Sequence, residues 1–220
     1  RMKPISRRRW LMEALALAAL PRALGALPPD EELVDFADCG QFMPDLQATN
    51  PRVKCFDLRR LSGPITPTAE FFVFHQTTVP QIDIGRWKLE IGGFVERPAT
   101  FTMEELVKRF PLVRELEFTI ECAGNLPRPE IMNGEVSNAR WSCISLASVL
   151  QVCGVKSEAR EVVFFGADQV RDSAGVAFGP YGRSVFVQDA LDPDAILATG
   201  MNGEPLPPEH GFPLRLILPG

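Results

Sequence analysis

From Glu115 to Cys122 every second residue is apolar: Leu116, Phe118, Ile120 and Cys122 alternate with Glu115, Glu117, Thr119 and Glu121. A period of two belongs to a β-strand with one covered face. A chain with such a strand has to build a sheet and bury one side of it. The same alternation turns the Cys122 side chain toward the covered side, where the strand gives way to Ala123-Gly124-Asn125. Twenty prolines and 17 glycines among 220 residues agree with short strands and many turns, and argue against a helical bundle.

The other elements follow from local signals. Phe71-Phe72-Val73-Phe74 and Val162-Val163-Phe164-Phe165 are short apolar runs that predict buried strands. Trp87 to Ile91 alternates apolar and charged residues and predicts a half-exposed strand stopped by Gly92-Gly93. Thr102 with Glu105 three residues on, flanked by Phe101 and Leu106, predicts a capped helix running to Phe110 before Pro111. Leu146, Val149, Leu150 and Cys153 have helical spacing, with Gly154 as the residue that ends the helix. Gly166-Ala167-Asp168 predicts a turn, and Ser184–Val187, Ile196–Met201 and Leu214–Leu218 predict strands, with Asn202-Gly203 a tight turn. Strands outnumber helices at irregular intervals, so the expected class is α+β with mixed sheets.

Segment 1–27 reads as an address. Arg7-Arg8-Arg9 precedes the apolar run Leu15–Leu20 and small residues near Ala23–Ala26, a pattern similar to a twin-arginine signal for export to the periplasm. The run is shorter than the roughly 20 residues of a membrane span and is broken by Glu13 and Arg22, so no stable span is expected. An amphipathic N-terminal helix is the competing reading. Segment 28–69 reads as an extended lead-in, and 70–220 as the domain proper. A formal charge of −5 leaves no basic footprint for nucleic acid.

The five cysteines form no Cys-x-x-Cys pair, which removes support for zinc ribbons, thioredoxin-type pairs and c-type haem attachment. Cys143 and Cys153 read as structural, and pairing of Cys39 with Cys55 stays open. On its residues alone Cys122 has two readings. A thiol at a strand end beside Ala123 and Gly124 leaves room for a large flat ligand and offers a soft donor to a metal. A buried cysteine acting as a small hydrophobe is the commoner outcome.

The run Ile120–Asn125 resembles the molybdenum-ligand motif of the sulfite oxidase family, which includes nitrate reductases and sulfane dehydrogenases. Other stretches resemble that family in order: Val79–Asp83, Trp87–Pro98, Trp141-Ser142, Gly166–Asp168, Arg183-Ser184, Met201–Pro207 and His210–Arg215. The resemblance covers roughly residues 70–220. It implies the sulfite oxidase molybdopterin-binding fold and a molybdenum–molybdopterin cofactor. Cys122 is then the metal ligand and catalytic thiolate. Asp168, His210 and Arg215 are the pterin contacts, and Phe74, His75 and Arg183 fall on further cofactor-binding stretches. In sulfite-oxidising members an arginine stands where this chain has Phe74, which argues against sulfite itself and leaves His75 to compensate in part.

The activity implied is oxygen-atom or electron transfer on a small sulfur oxyanion or an S- or N-oxide. With no haem motif, electrons are expected to pass to a separate partner such as a cytochrome. Members of the family continue beyond the motif that ends at Pro219-Gly220, so the chain reads as a fragment. A truncated, non-catalytic binding module is the alternative.

Overall fold

In the computed structural model the described residues are 53–56, 61–75, 77–110, 114–125, 134–171 and 175–218. All of them fall in one compact unit, Cys39–Gly220. The leader and most of the lead-in, including Cys39, lie outside the described residues.

The central sheet is built on β5 (Arg114–Glu121), β6 (Val136–Ser145) and β9 (Ile196–Met201). The order is β10-β9-β6-β5, with β10 (Glu204–Pro205) on the C-terminal end of β9 and β11 (Arg215–Ile217) on its N-terminal half. Three two-stranded sheets complete the strands. β1 (Val53–Lys54) pairs with β2 (Val73–Phe74), β3 (Leu89–Ile91) with β4 (Ala99–Phe101), and β7 (Glu161–Arg171) with β8 (Ala177–Phe186). The α+β class holds. Every named pair among the described residues is antiparallel, so the mixed pairing expected from the sequence narrows to one sense.

Alternation gives the central sheet two different faces. Ile196 and Ala198 of β9 enter one core and Leu197 the other. On β6, Trp141 and Cys143 join the first core and Ile144 the second, with a register shift between Ser142 and Cys143. Helix α1 (Met103–Arg109) contributes Leu106 to the second core, and α2 (Leu146–Cys153) contributes Leu146, Val149, Leu150 and Cys153. Burying Val149 or Leu150 fully contributes about 1.5–3 kcal/mol each. The other face is aromatic, formed by Phe71, Phe72 and Trp141 with Phe118 and Phe212 packed against them. That aromatic face carries the candidate site.

Both helices begin as their sequences dictate. The Glu105 N–H donates to Thr102 Oγ1 at 3.2 Å and the Thr102 N–H to Glu105 Oε2 at 2.8 Å, a complete capping box. Ser145 caps α2 through the Ser148 N–H, and Gly154 ends it at φ 70°. The segment before β2 is stitched to β6: the Phe72 N–H donates to Ser137 Oγ, and Thr66 exchanges backbone and side-chain bonds with Asn138.

Four expectations need correction. Phe71 to Val73 are buried, but β2 is only Val73–Phe74 and Phe74 is 47% exposed. Val162 to Phe165 do lie on a strand, yet Val163 and Phe165 are 53% and 70% exposed. Their hairpin buries one face only, with Val162, Phe164 and Val185 turned to the helical core. The Gly166–Asp168 stretch is part of β7 and not a turn; pairing with β8 skips from Phe165 to Gln169 there. Val187 starts a one-turn helix, α3 (Val187–Ala190), after β8 ends at Phe186.

Candidate cofactor site

Cys122 follows the last residue of β5 and continues its ladder, its N–H donating to Glu135 O at 2.9 Å. The side chain is half-buried against the aromatic core, the direction that alternation requires. The turn after it is tightly bonded. The Gly124 N–H donates to Cys122 Sγ at 3.4 Å, and the Asn125 N–H to Cys122 O at 2.9 Å. Asn125 Nδ2 donates to Glu121 Oε1 at 2.8 Å, and its Oδ1 accepts from the Glu135 N–H. The Gly124 N–H aims at the sulfur and helps to orient it, as a metal ligand requires.

Arg215 lies two residues before Ile217 on β11, so both side chains leave the same face of the sheet, and Ile217 packs on the aromatic core. The guanidinium carbon of Arg215 lies 5.4 Å from the centre of the Trp141 ring. Cys122, Trp141 and Arg215 therefore share one side of one sheet. Arg215 Nη1 donates to His210 O at 3.3 Å, and no ion pair joins Arg215 to a carboxylate among the described residues. Burial pushes its guanidinium down to about 10. Taking a cation out of water without a partner is expensive. Such a group can take an anion as its partner.

His210 closes a short 3-10 turn, Pro208–His210, and is 3% exposed. Gly211 then turns at φ 102°, and a Cβ there would meet Arg215 Cβ at 3.0 Å. That turn sets the His210 carbonyl within reach of Arg215 Nη1. Burial first, and then the neighbouring Arg215 charge, push the His210 imidazole down to about 4, against the pull of Glu209. It is neutral at physiological pH and able to donate one N–H.

His75 joins this group electrostatically. Burial lowers its affinity for a proton, with Arg215 acting the same way and Glu209 and Asp168 opposing. Its Nε2 is buried and has no hydrogen-bond partner. Asp168 is half-buried on β7, and its Oδ2 accepts from Thr77 Oγ1 at 3.1 Å. A side chain on Gly166 would run into Asp168 Oδ1, so glycine at that position clears the carboxylate's space.

The fold thus gathers His75, Asp168, His210 and Arg215, and places Cys122 on the same sheet face. Two predicted contacts do not join them. Arg183 is exposed on β8, its guanidinium 4.5 Å from the Tyr181 ring and bonded to Gly182 O. Phe74 is on the strand next to His75 but faces outward. Three residues escaped the sequence reading as site members: Thr77, Glu209 and Trp141. Thr77 and Trp141 act on residues distant in sequence, and Glu209 acts on its neighbour His210 as well as on distant His75. Only Trp141, apolar at an inward position of an alternating strand, left a local trace.

These residues fit a molybdenum pterin. Cys122 offers a single soft donor, and the other metal ligands would come with the pterin. Asp168 can accept from amide-like N–H edges of the ring. Partly buried Arg215, neutral His210 and the unpartnered His75 nitrogen suit an anionic tail. Among the described residues no group of three His, Cys, Asp or Glu side chains is placed to hold a metal by itself.

Comparisons with known proteins agree. The family described as "Oxidoreductase molybdopterin binding domain" matches residues 75–220. An NADH nitrate reductase of Brassica napus is 40% identical, covering 72% of this chain and 19% of that protein. The nitrate reductase [NAD(P)H] of Hordeum vulgare is 40% identical with the same coverage. The sulfane dehydrogenase SoxCD from Paracoccus pantotrophus matches in structure with a TM-score of 0.65 at 28% identity, covering 94% of this chain and 54% of that one. The chain therefore spans about a fifth of the length of these nitrate reductases and about half that of the solved chain.

Proposed function

Because this chain belongs to the oxidoreductase molybdopterin-binding domain family, we propose that it is the cofactor-holding part of a molybdenum oxidoreductase acting on a small sulfur oxyanion or an S- or N-oxide. The observation that carries this reading is the partly buried Arg215, unpaired by any described carboxylate, on the same sheet face as Cys122. An elongated ligand with a soft-metal end and an anionic end satisfies both groups at once. When bound, the cofactor supplies two-electron transfer at molybdenum.

The protein's own part is binding and orientation. Cys122 ligates the metal through Sγ, held by the Gly124 N–H. Asp168, itself held by Thr77, accepts from the pterin edge. Arg215 presents its N–H donors to the phosphate, and His210 adds an uncharged N–H beside it. Phe74 stands where sulfite-oxidising members of the resembled family carry an arginine, and the lack of that cation disfavours sulfite relative to less charged oxides. Electrons leave to a separate protein such as a cytochrome, and the basic-then-apolar leader sends the loaded chain to the periplasm by a twin-arginine route. The SoxCD likeness supports a sulfur substrate, and the nitrate reductase likeness an oxyanion.

The test is metal analysis of the full chain from a host that makes the cofactor. Wild type should retain about one molybdenum per chain, with one thiolate from the protein in its coordination shell. X-ray absorption at the molybdenum edge should lose one sulfur neighbour in Cys122→Ser. An unchanged sulfur count removes Cys122 as ligand. A folded wild type that never takes up the cofactor leaves a binding module of another kind.

A further inference from the structure

Trp141 is wholly buried, yet its indole N–H has no hydrogen-bond partner. A buried donor left unpaired is costly, and a phenylalanine or leucine would fill a core position without that cost. The indole's contacts give it a role besides filling the core. Phe118 stacks on the ring at 5.7 Å and 17°, and Phe71 meets it edge-on at 5.8 Å and 88°. Clamped between them, the ring has one orientation. The Arg215 guanidinium sits over it at 5.4 Å. Phe71 also meets the His210 ring at 5.1 Å and 74°. The same aromatic pair therefore seats both residues of the anion-contacting group.

We propose that Trp141 is a positioning residue for the molybdenum pterin, holding the Arg215 guanidinium by its face so that its edge meets the cofactor's anionic end. This rests on the cofactor assignment made above. A guanidinium has a face that aromatic rings attract and an edge that carries its donors. Indole has the strongest face of the natural side chains. With the face engaged by Trp141 and one donor spent on His210 O, the other in-plane N–H groups remain for phosphate oxygens. Phe71, gripping Trp141 and His210 together, keeps the second donor in register with the first.

The experiment is a double-mutant cycle read as cofactor retention. The full chain carrying Trp141→Leu, Arg215→Gln or both is prepared from a cofactor-making host, and molybdenum and released pterin per chain are measured after washing at graded salt. Each single variant should weaken retention about tenfold, and Trp141→Phe, which keeps a ring face, only about threefold. The double variant should be no worse than Arg215→Gln alone. Losses that multiply in the double variant mean that Trp141 acts only as core filler, and overturn the proposal. Should Trp141→Leu fail to fold, fluorinated tryptophan weakens the ring's face at nearly constant shape. Retention should then fall in the wild-type background and stay unchanged in Arg215→Gln; equal effects in the two overturn the proposal. A loaded wild type with a multiplicative cycle defeats this inference alone, whereas a folded wild type without cofactor defeats the assignment beneath it.

Discussion

His210 is nearly fully buried, and its imidazole is held near 4 by that burial and by the charge of Arg215. In the unfolded chain it takes up a proton near 6.5. Between those values the unfolded chain binds more protons, so stability rises with pH. The contribution is complete above about pH 6.5 and is lost as pH falls toward 4, about 3 kcal/mol in all. Urea unfolding at pH 7.5, 5.5 and 4 should show this loss in wild type and a much flatter dependence in His210→Asn. Equal slopes would show that acid sensitivity lies elsewhere. The candidate roles of Cys122, His210 and Arg215 were readable because each sits inside a dense local motif. The Thr77–Asp168 bond joins residues 91 apart, and no local pattern records such a contact. Arg183 and Phe74 were placed by motif position, which gives an index along the chain but not the side chain's direction.

The β9–β10 turn shows how an element can be both local and global. Asn202 takes φ 53°, and Gly203 φ 84°, the pair of left-handed residues that a two-residue hairpin demands. Asn202 also reaches outward. Its Oδ1 accepts from the Arg140 N–H at 3.0 Å, and its Nδ2 donates to Thr66 O and Thr68 Oγ1 at 3.1 and 3.0 Å. Asn202→Ala removes those bonds and strains the backbone, and should cost about 2–4 kcal/mol. Asn202→Gly relieves the strain and should cost roughly 1–2 kcal/mol less. Thermal melts of the two variants check the order, and a glycine variant as weak as the alanine one would deny the strain. The turn itself was legible from Asn-Gly, as were α1 and α2 from their caps, because the deciding groups lie within four residues of each other. The long β7–β8 hairpin was not. Its register shift at Gly166–Asp168 and its uncovered outer face depend on what packs against it, and an apolar run reads the same either way.

Across the molecule, α+β character follows from counting elements, but the two-faced sheet does not. That architecture needs β6 between β5 and β9, a pairing of strands 50 or more residues apart. Once formed, it commits one face to helices and leaves the other to aromatic residues and Arg215. Cofactor binding and stability then pull in opposite directions. A partly buried cation with no carboxylate partner among the described residues costs the chain on its own, and an anionic ligand removes that cost. Arg215→Met keeps the side chain's length and loses the charge. Without cofactor, the variant should be as stable as wild type or more so, by about 1 kcal/mol. With cofactor offered during expression, wild type should gain several degrees in melting temperature and the variant almost none. Melting curves of both chains from hosts with and without the cofactor pathway test the crossover. If Arg215→Met is markedly weaker even without cofactor, the Trp141 ring already compensates the charge, and Arg215 is a structural group first.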